Sequence, residues 1–417
     1  MPASYGAQLS GDVSERQIAA LPRAQTATAR LKVLLVTSFP PSRGDLNEYG
    51  YHLACSLQAN PEVNLLILAD ETGGKEEPTG FHIRRCWRFD SPFNAVRLLL
   101  QIAKEKPDVV WFNIGFSTFA RKPVEAFLAL TVPSLGRICG CYTHITLHTI
   151  FERIDLKDAG VRWPALYRVA GRFATHLVLL ANDVSVLLPS FKKDLVAKYG
   201  RRAARVQFRP HGTFESIDRG MKGYDARGKT ILAFGYWGTY KRLEVLLAAM
   251  EEVLSKIPDA ELLVAGTNHP STPAYLESLQ KQWKGRGSVQ FLGYVPESDL
   301  PPLFHRASVL VLPYTSAAGT SGVMHQACQY GLPIVATSIP EIQEIAEEEK
   351  VTVQLYSPED RHALSNHLIR LLSSDEARRC ISEKNLLAAG MMPMSQVVGE
   401  YLQFFEKRIS NPRVGKQ

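Results

Sequence analysis

The chain has 417 residues, 45 % of them hydrophobic and 21 % charged. That composition excludes a mainly disordered, collagen-like or coiled-coil protein, and at roughly 100–200 residues per domain the length accommodates two or more domains. The net charge of +7 sits in the first half, with 27 basic and 19 acidic residues in 1–215 against 21 and 22 in 216–417; such an excess suits phosphate-rich partners (anionic lipid, lipid diphosphate, nucleic acid) or is a solvated basic face.

Residues 1–30 lack an apolar period and predict a flexible tail. They have no basic start followed by an apolar stretch, and no run of about 18 apolar residues occurs anywhere, so a soluble cytoplasmic protein is expected. Short apolar runs then recur, each followed by a longer amphipathic stretch. In the first half they are Lys32–Ser38, Val63–Ala69, Asp108–Gly115, His144–Ile150, His176–Asn182 and Arg205–Gly212. In the second they are Lys229–Gly235, Ala260–Gly266, Ser288–Tyr294, Ala307–Tyr314, Leu332–Ile339 and Val351–Tyr356. Continuous apolar strands imply burial on both faces, as in a parallel sheet covered by crossover helices. Ser216–Gly228 is polar and glycine-containing and reads as a linker. The expected fold is α/β: two Rossmann-like, doubly wound domains, 31–215 and 229–390, facing a central cleft. Residues 391–417 hold a last helix with no strand left to cover, which is expected to cross back to the first domain.

Four places along this frame suit anion or substrate binding. The loop Phe39–Asp45 joins a buried strand to a helix, and Gly44 lets its backbone approach a ligand at a helix start; it is not the GxGxxG of a nicotinamide site. Gly235-Tyr236-Trp237-Gly238-Thr239-Tyr240-Lys241-Arg242 again ends a strand and opens a helix. Cations there oppose the helix dipole unless an anion lies between, so Lys241 and Arg242 suit a diphosphate. Gly319-Thr320-Ser321-Gly322 puts small residues and free amides at another helix start. His148 and His211 close two first-half strands, where imidazole bonds a hydroxyl or phosphate. Each also has a plainer reading as an ordinary turn, cap or satisfied histidine. No Ser/His/Asp arrangement or HExxH spacing stands out. The six cysteines are too few for a disulfide framework, and Cys139 and Cys141 lack the second pair of a zinc site.

Four blocks carry a family resemblance: FGYWGTYKRLEVLLAAM, VQFLGYVPESDLPPLFHRASVLVLPY, SGVMHQACQYGLPIVATSIPEIQEI and SPEDRHALSNHLIRLLSSDEARR. In order and spacing they resemble the retaining glycosyltransferases of family 4, of GT-B fold; VLLVTSFPP, ITLHTIF and VQFRPHG match more loosely. The resemblance implies a nucleotide-sugar donor on the second domain and an acceptor entering from the first. Lys241 would bind the diphosphate together with the loop at Gly238, Arg242 standing in for the family's arginine. Ser321, Gly322 and Val323 would offer amides to the phosphates, and Tyr294 and Val295 would lie along the base. Gly44 would close on the diphosphate from the first domain. Asn113, His148 and Glu152 would line the acceptor side, with His148 nearest the transferred sugar. The family's two glutamates are replaced by Ala318 and Gln326; the Gln326 amide can still bond ribose hydroxyls.

The implied reaction is retaining hexosyl transfer from a UDP- or GDP-type sugar to a hydroxyl, in polysaccharide, glycolipid or other glycoconjugate synthesis. No metal or bound cofactor is expected, since cations and helix ends stabilise the leaving diphosphate. A degenerate binder without turnover and a nucleotide-sugar epimerase are the alternatives. The clusters Arg84-Arg85-Arg88, Lys192-Lys193 and Arg201-Arg202-Arg205 suggest peripheral contact with the anionic inner membrane face, where a lipid-linked saccharide would be the acceptor. Without a recognition motif they do not point to nucleic acid.

Overall fold

The computed structural model describes residues 30–410 except 43, 45, 73–76, 155–162, 215–227, 270, 271, 284, 286, 317 and 318. All but the last residue of the expected linker, nearly all of the expected tail, and Ala318 therefore lie outside the described residues. The first sheet is built from β1 (Leu31–Val36), β2 (Val63–Asp70), β3 (Ile83–Trp87), β4 (Val109–Ile114), β5 (Tyr142–Leu147), β6 (Asp183–Val186) and β7 (Val206–Phe208). Its helices are α1 (Asn47–Gln58), α2 (Asn94–Glu105), α3 (Pro123–Leu130), α4 (Val132–Ile138), α5 (Pro164–Val178) and α6 (Pro189–Tyr199). The second sheet takes β8 (Thr230–Phe234), β9 (Glu261–Ala265), β10 (Val289–Gly293), β11 (Val309–Leu312), β12 (Ile334–Thr337) and β13 (Val353–Tyr356). Around it lie α7 (Leu243–Lys256), α8 (Tyr275–Gln282), α9 (Leu300–Arg306), α10 (Gly322–Gln329), α11 (Pro340–Glu348), α12 (Arg361–Ser373) and α13 (Asp375–Met391), followed by α14 (Met394–Ser410).

Both sheets are parallel throughout, in the orders β3-β2-β1-β4-β5-β6-β7 and β10-β9-β8-β11-β12-β13. The period of two sorts β1 onto two cores. Leu34 and Val36 pack under α2–α6, while Val33 and Leu35 pack with α1 and α14. Burial on both faces explains the continuous apolar runs. The last helix covers the first sheet: Tyr401 and Phe405 pack on Trp111 at 4.5 and 5.2 Å between ring centroids.

Two elements differ from the sequence expectation. His176–Asn182 is not a strand: α5 runs to Val178, a turn follows, and β6 starts at Asp183. The apolar residues there are a helix end whose inner side, Ala174 and Val178, faces the core. The strand β3 (IRRCW) was not anticipated. It is a five-residue edge strand with two arginines, a sequence that lacks the apolar continuity of a central one.

Candidate functional site

At the ends of β8 and β9 the chain makes two turns at glycines with positive φ, Gly235 and Gly266. Gly266 has φ +107°, and a Cβ on it would stand 1.9 Å from the Gly235 carbonyl oxygen. Gly235 itself has φ +142°; a Cβ there would lie 2.7 Å from Lys241 Nζ and 4.0 Å from Val323 Cγ2. Strand end, ammonium and the first turn of α10 thus surround one small space. The ammonium also lies 4.7 Å from the Tyr314 ring centroid, a cation–π contact that holds it at the cleft. Gly238 packs closely, its missing Cβ being 3.0 Å from Thr272 Oγ1.

Ser321 caps α10, its Oγ accepting from Met324 N. The first amides of a helix have no intrahelical partner, so Gly322 and Val323 present donors and the positive end of the dipole. Beside them Thr320 Oγ1 is buried with no partner among the described residues. The same loop touches the first domain: Gly319 bridges Thr149, and a Cβ on Gly319 would be 2.5 Å from the His148 carbonyl oxygen.

The first-domain wall is built on Asp70 at the end of β2. Its carboxylate accepts from Phe39 N at 3.0 Å and from the Ser42 hydroxyl, whose oxygen in turn accepts from Gly44 N at 3.0 Å. Behind this loop, Thr37 donates its hydroxyl to the Ser38 carbonyl and accepts from Asn113 Nδ2 at 3.0 Å. That fixes the amide so that Asn113 Oδ1 faces His148 Nε2, 2.6 Å away. His148 therefore carries its proton on Nε2 and keeps an acceptor lone pair on Nδ1. Burial lowers its pKa to about 3, so it is neutral. Tyr49 stands between His148 and His211, at 4.5 and 4.6 Å between ring centroids.

Across the cleft the first turn of α1 meets α10. Gln326 donates its amide to Glu48, and Gln326 Oε1 is left buried without a partner among the described residues. One residue along, His325 stacks on His211 at 4.1 Å and lies 2.8 Å from Glu349. Glu348 ends α11 and Glu349 follows it, so this pair ties α10 to α11 beneath the cleft.

Several sequence-predicted residues do not join this site. Arg242 forms a two-point ion pair with Glu359, at 2.6 and 2.9 Å, which satisfies its guanidinium outside the Lys241 space. Glu152 accepts from the Tyr199 hydroxyl at 2.5 Å and faces Lys198 at 3.3 Å, so its carboxylate serves α6 rather than the acceptor side. Tyr294 and Val295, by contrast, follow β10 at its carboxyl end, on the cleft side, where Gly293 accepts from Gly266 N at 2.7 Å; Tyr294 is exposed and Val295 packs against the core. The Arg84-Arg85-Arg88 cluster is not an open cationic stripe: Arg84 pairs with Glu105 at 2.6 Å, Arg88 with Glu71 at 3.0 Å, and the half-buried Arg85 pairs with Glu77 at 2.6 Å and donates to the Phe39 and Pro40 carbonyls. Conversely, Glu48 belongs to the site and was not anticipated, whereas Gly235 and Thr320 fall in the two helix-start motifs singled out from the sequence. A cavity of about 400 Å³ opens at the opposite, amino-terminal ends of β4–β6. Ligands of such sheets bind at the carboxyl ends, so it is separate from the cleft. No group of three or more metal-ligating side chains occurs among the described residues.

Two parallel-sheet α/β domains whose carboxyl ends meet across a cleft define the GT-B class of fold. Solved structures agree on that fold: sucrose-phosphate synthase from Thermosynechococcus elongatus (TM-score 0.69, 17 % identity, 91 % of this chain and 100 % of that one) and Anabaena HepE in complex with UDP and glucose (0.67, 16 %, 90 % and 100 %). Residues 228–374 match the family model described as Glycosyl transferases group 1. The match lies within the second domain. It is 24 % identical over 159 residues to the phosphatidyl-myo-inositol mannosyltransferase of Mycolicibacterium smegmatis, covering 38 % of this chain and 40 % of that protein. It is 32 % identical over 146 residues to an uncharacterized glycosyltransferase of Methanocaldococcus jannaschii, covering 35 % and 36 %. The chain thus spans about half or less of the length of the curated relatives it matches.

Proposed function

We propose that this protein transfers a hexosyl group, with retention and without a metal, from a UDP- or GDP-linked sugar to a hydroxyl of a saccharide or lipid-linked acceptor. The observation that carries the reading is the meeting of Lys241 Nζ, the start of α10 and Gly235 in one space. The bond between the anomeric carbon and the diphosphate oxygen breaks, its electron pair staying on that oxygen. Lys241 and the Gly322 and Val323 amides offset the growing charge without reorganising. The acceptor oxygen bonds the anomeric carbon on the same face, and its proton passes to the leaving phosphate. His148, neutral and acceptor-ready at Nδ1, orients a sugar hydroxyl. Gln326 Oε1 and Glu48 take the two ribose hydroxyls of the donor, in place of the family's glutamate pair.

UDP is present in the HepE complex, and the mycobacterial relatives are named mannosyltransferases; uridine and guanosine diphosphates and their hexoses are therefore the first ligands to test. At a hundredfold excess over Kd, a ligand bound only by the folded state adds about 2.7 kcal/mol of stability. One of these nucleotides should raise the melting temperature, and Lys241→Ala should remove the rise together with turnover. No rise with any of them sinks the reading. A rise with no turnover of any sugar form supports the second one, a nucleotide-binding protein without activity, which the replaced glutamates favour.

A further inference from the structure

Of the 20 large apolar side chains exposed among the described residues, 13 fall between Phe89 and Leu180, on or beside α2–α5. These four helices form one contiguous layer over the first sheet, α2 touching α3 and α4, and α5 touching both as well. Each buries one stripe in the core and exposes another. On α2, Leu98 and Ile102 point inward, whereas Phe93, Val96 and Leu100 stand outward at helical spacing. On α5, Ala174 and Val178 are buried and Leu166, Val169 and Phe173 are out, with Trp163 just before the helix. Leu100, Trp163, Leu166 and Val169 each expose 64 % of their surface, and Ile138 on α4 exposes 79 %. Soluble surfaces rarely gather apolar side chains in this way without a partner.

Charge identifies the partner. Around the stripes stand Lys104, Arg121, Arg168 and Arg172, with Arg97 paired to Glu71 at 2.9 Å and Lys122 beside Glu125 at 3.8 Å, while α5 carries no acid at all. The two acids within α2–α5 are engaged, Glu105 with Lys32 and Arg84, and Glu125 with Lys122. A face that is apolar and positive repels a second copy of itself but suits an anionic lipid surface. There the rings and leucines enter the boundary of the acyl chains and the cations reach the headgroups. The orientation is also informative. In a parallel sheet each crossover helix starts at the carboxyl end of the preceding strand, so Phe93, Val124, Trp163 and Leu166 lie at the cleft side of the layer.

We propose that the outer face of α2–α5 seats the first domain on an anionic bilayer, with the cleft beside the membrane surface where a lipid-borne acceptor would reach His148. The seat itself does not depend on the donor assignment; only the delivery of an acceptor rests on the proposed function. It replaces the Arg84-Arg85-Arg88 stripe, whose cations are paired, and adds an apolar component that salt does not screen.

The test is co-sedimentation of the full chain with equimolar phosphatidylglycerol–phosphatidylcholine vesicles and with pure phosphatidylcholine vesicles. Binding should need the anionic lipid, and high salt should weaken it without abolishing it. The double variant Leu100→Ser/Leu166→Ser should bind about tenfold more weakly or worse, whereas Leu387→Ser, an exposed apolar residue of α13, should bind as the parent does. Bromine-labelled lipid should quench fluorescence in the parent and much less in Trp163→Phe. No binding to anionic vesicles, or equal binding by the double variant, overturns the proposal. So does a dimer that dissociates on the double substitution without vesicle binding, since the occupant is then a second copy. The melting-temperature rise with nucleotide, measured on the same variants, should not change; its loss in the parent would sink the donor reading and leave the membrane seat standing.

Discussion

His148, His144 and His211 are all buried and held neutral, and that makes the fold acid-sensitive at single residues. Burial pushes His148 and His144 down to about 3, with Arg209 adding to the effect on His144, and lowers His211 as well. In the unfolded chain each takes a proton below about 6.5, whereas the folded protein does not. Their contribution is therefore present above that value and is lost as pH falls, by about 1.4 kcal/mol per histidine per unit. Urea unfolding between pH 6.5 and 5 should show stability dropping with an uptake of about two to three protons. A flat profile would contradict the neutral assignment. Glu48 gives the second residue-scale prediction. If it and Gln326 hold a diol, Glu48→Ala should weaken a ribonucleoside diphosphate by about tenfold, the loss of a charge-assisted bond. The same change should leave the 2′,3′-dideoxy analogue nearly unaffected. Equal losses for both ligands would make Glu48 a purely structural contact.

Among the elements, the β8–β9 edge separates fold from site. Gly266→Ala drives a Cβ into backbone, which cannot yield, so the second domain should be destabilised or fail to fold. Gly235→Ala meets mainly the far end of Lys241. It should cost about 1–2 kcal/mol for its backbone conformation yet leave a folded protein with impaired nucleotide binding. Circular dichroism melting with nucleotide titration distinguishes the two; equal behaviour would mean that Lys241 is not placed by this loop. The same elements show what was legible beforehand. Eleven of the twelve apolar runs contain a strand of the two sheets, because strands buried on both faces write themselves as unbroken Val, Ile and Leu. The twelfth, at 176–182, was an apolar helix end, which a short window cannot tell from a strand. The Gly235–Lys241 loop was readable since glycines and a lysine must lie close in sequence to share a turn. Partners from distant elements left no such trace. Nothing near Glu48 signals Gln326, 278 positions on, and nothing near Arg242 or Glu152 signals the Glu359 and Tyr199 that satisfy them.

At the scale of the whole molecule, the two domains are held closed by a small set of polar contacts around the cleft. Arg153 pairs with Asp194 at 2.6 Å in its own domain and reaches Glu341 of α11 at 3.4 Å. Next to it Glu344 accepts from Ser190 N at 2.6 Å and from the Ser190 hydroxyl, so a carboxylate of one domain caps the start of α6 in the other. Capping of this kind stabilises by about 0.5–2 kcal/mol, aided by the dipole of α6. On the other side His325 keeps its proton: Glu349 raises its pKa against the effect of burial, and the ring stacks on neutral His211. That contribution runs opposite to the acid-sensitive histidines, being complete below about 6.5 and lost as pH rises through the raised value. Closure brings Glu48 to Gln326 and His148 to the α10 loop, so any ligand that needs both walls binds the closed form better. Removing one capping carboxylate by Glu344→Ala should therefore shift the open–closed equilibrium toward open, by about two- to thirtyfold. Small-angle scattering should record a larger radius of gyration, and the affinity for the full nucleotide sugar should fall in proportion to the closed fraction. Nucleotide alone, which the proposed function places on the second domain, should lose less. Equal losses for the two ligands would mean that α6 and α11 stabilise a domain and do not govern the cleft; an unchanged radius with unchanged affinity would mean that closure is carried by the other cross-cleft contacts, Arg153–Glu341, Gln326–Glu48, the histidine pair and the Gly319–Thr149 bridge.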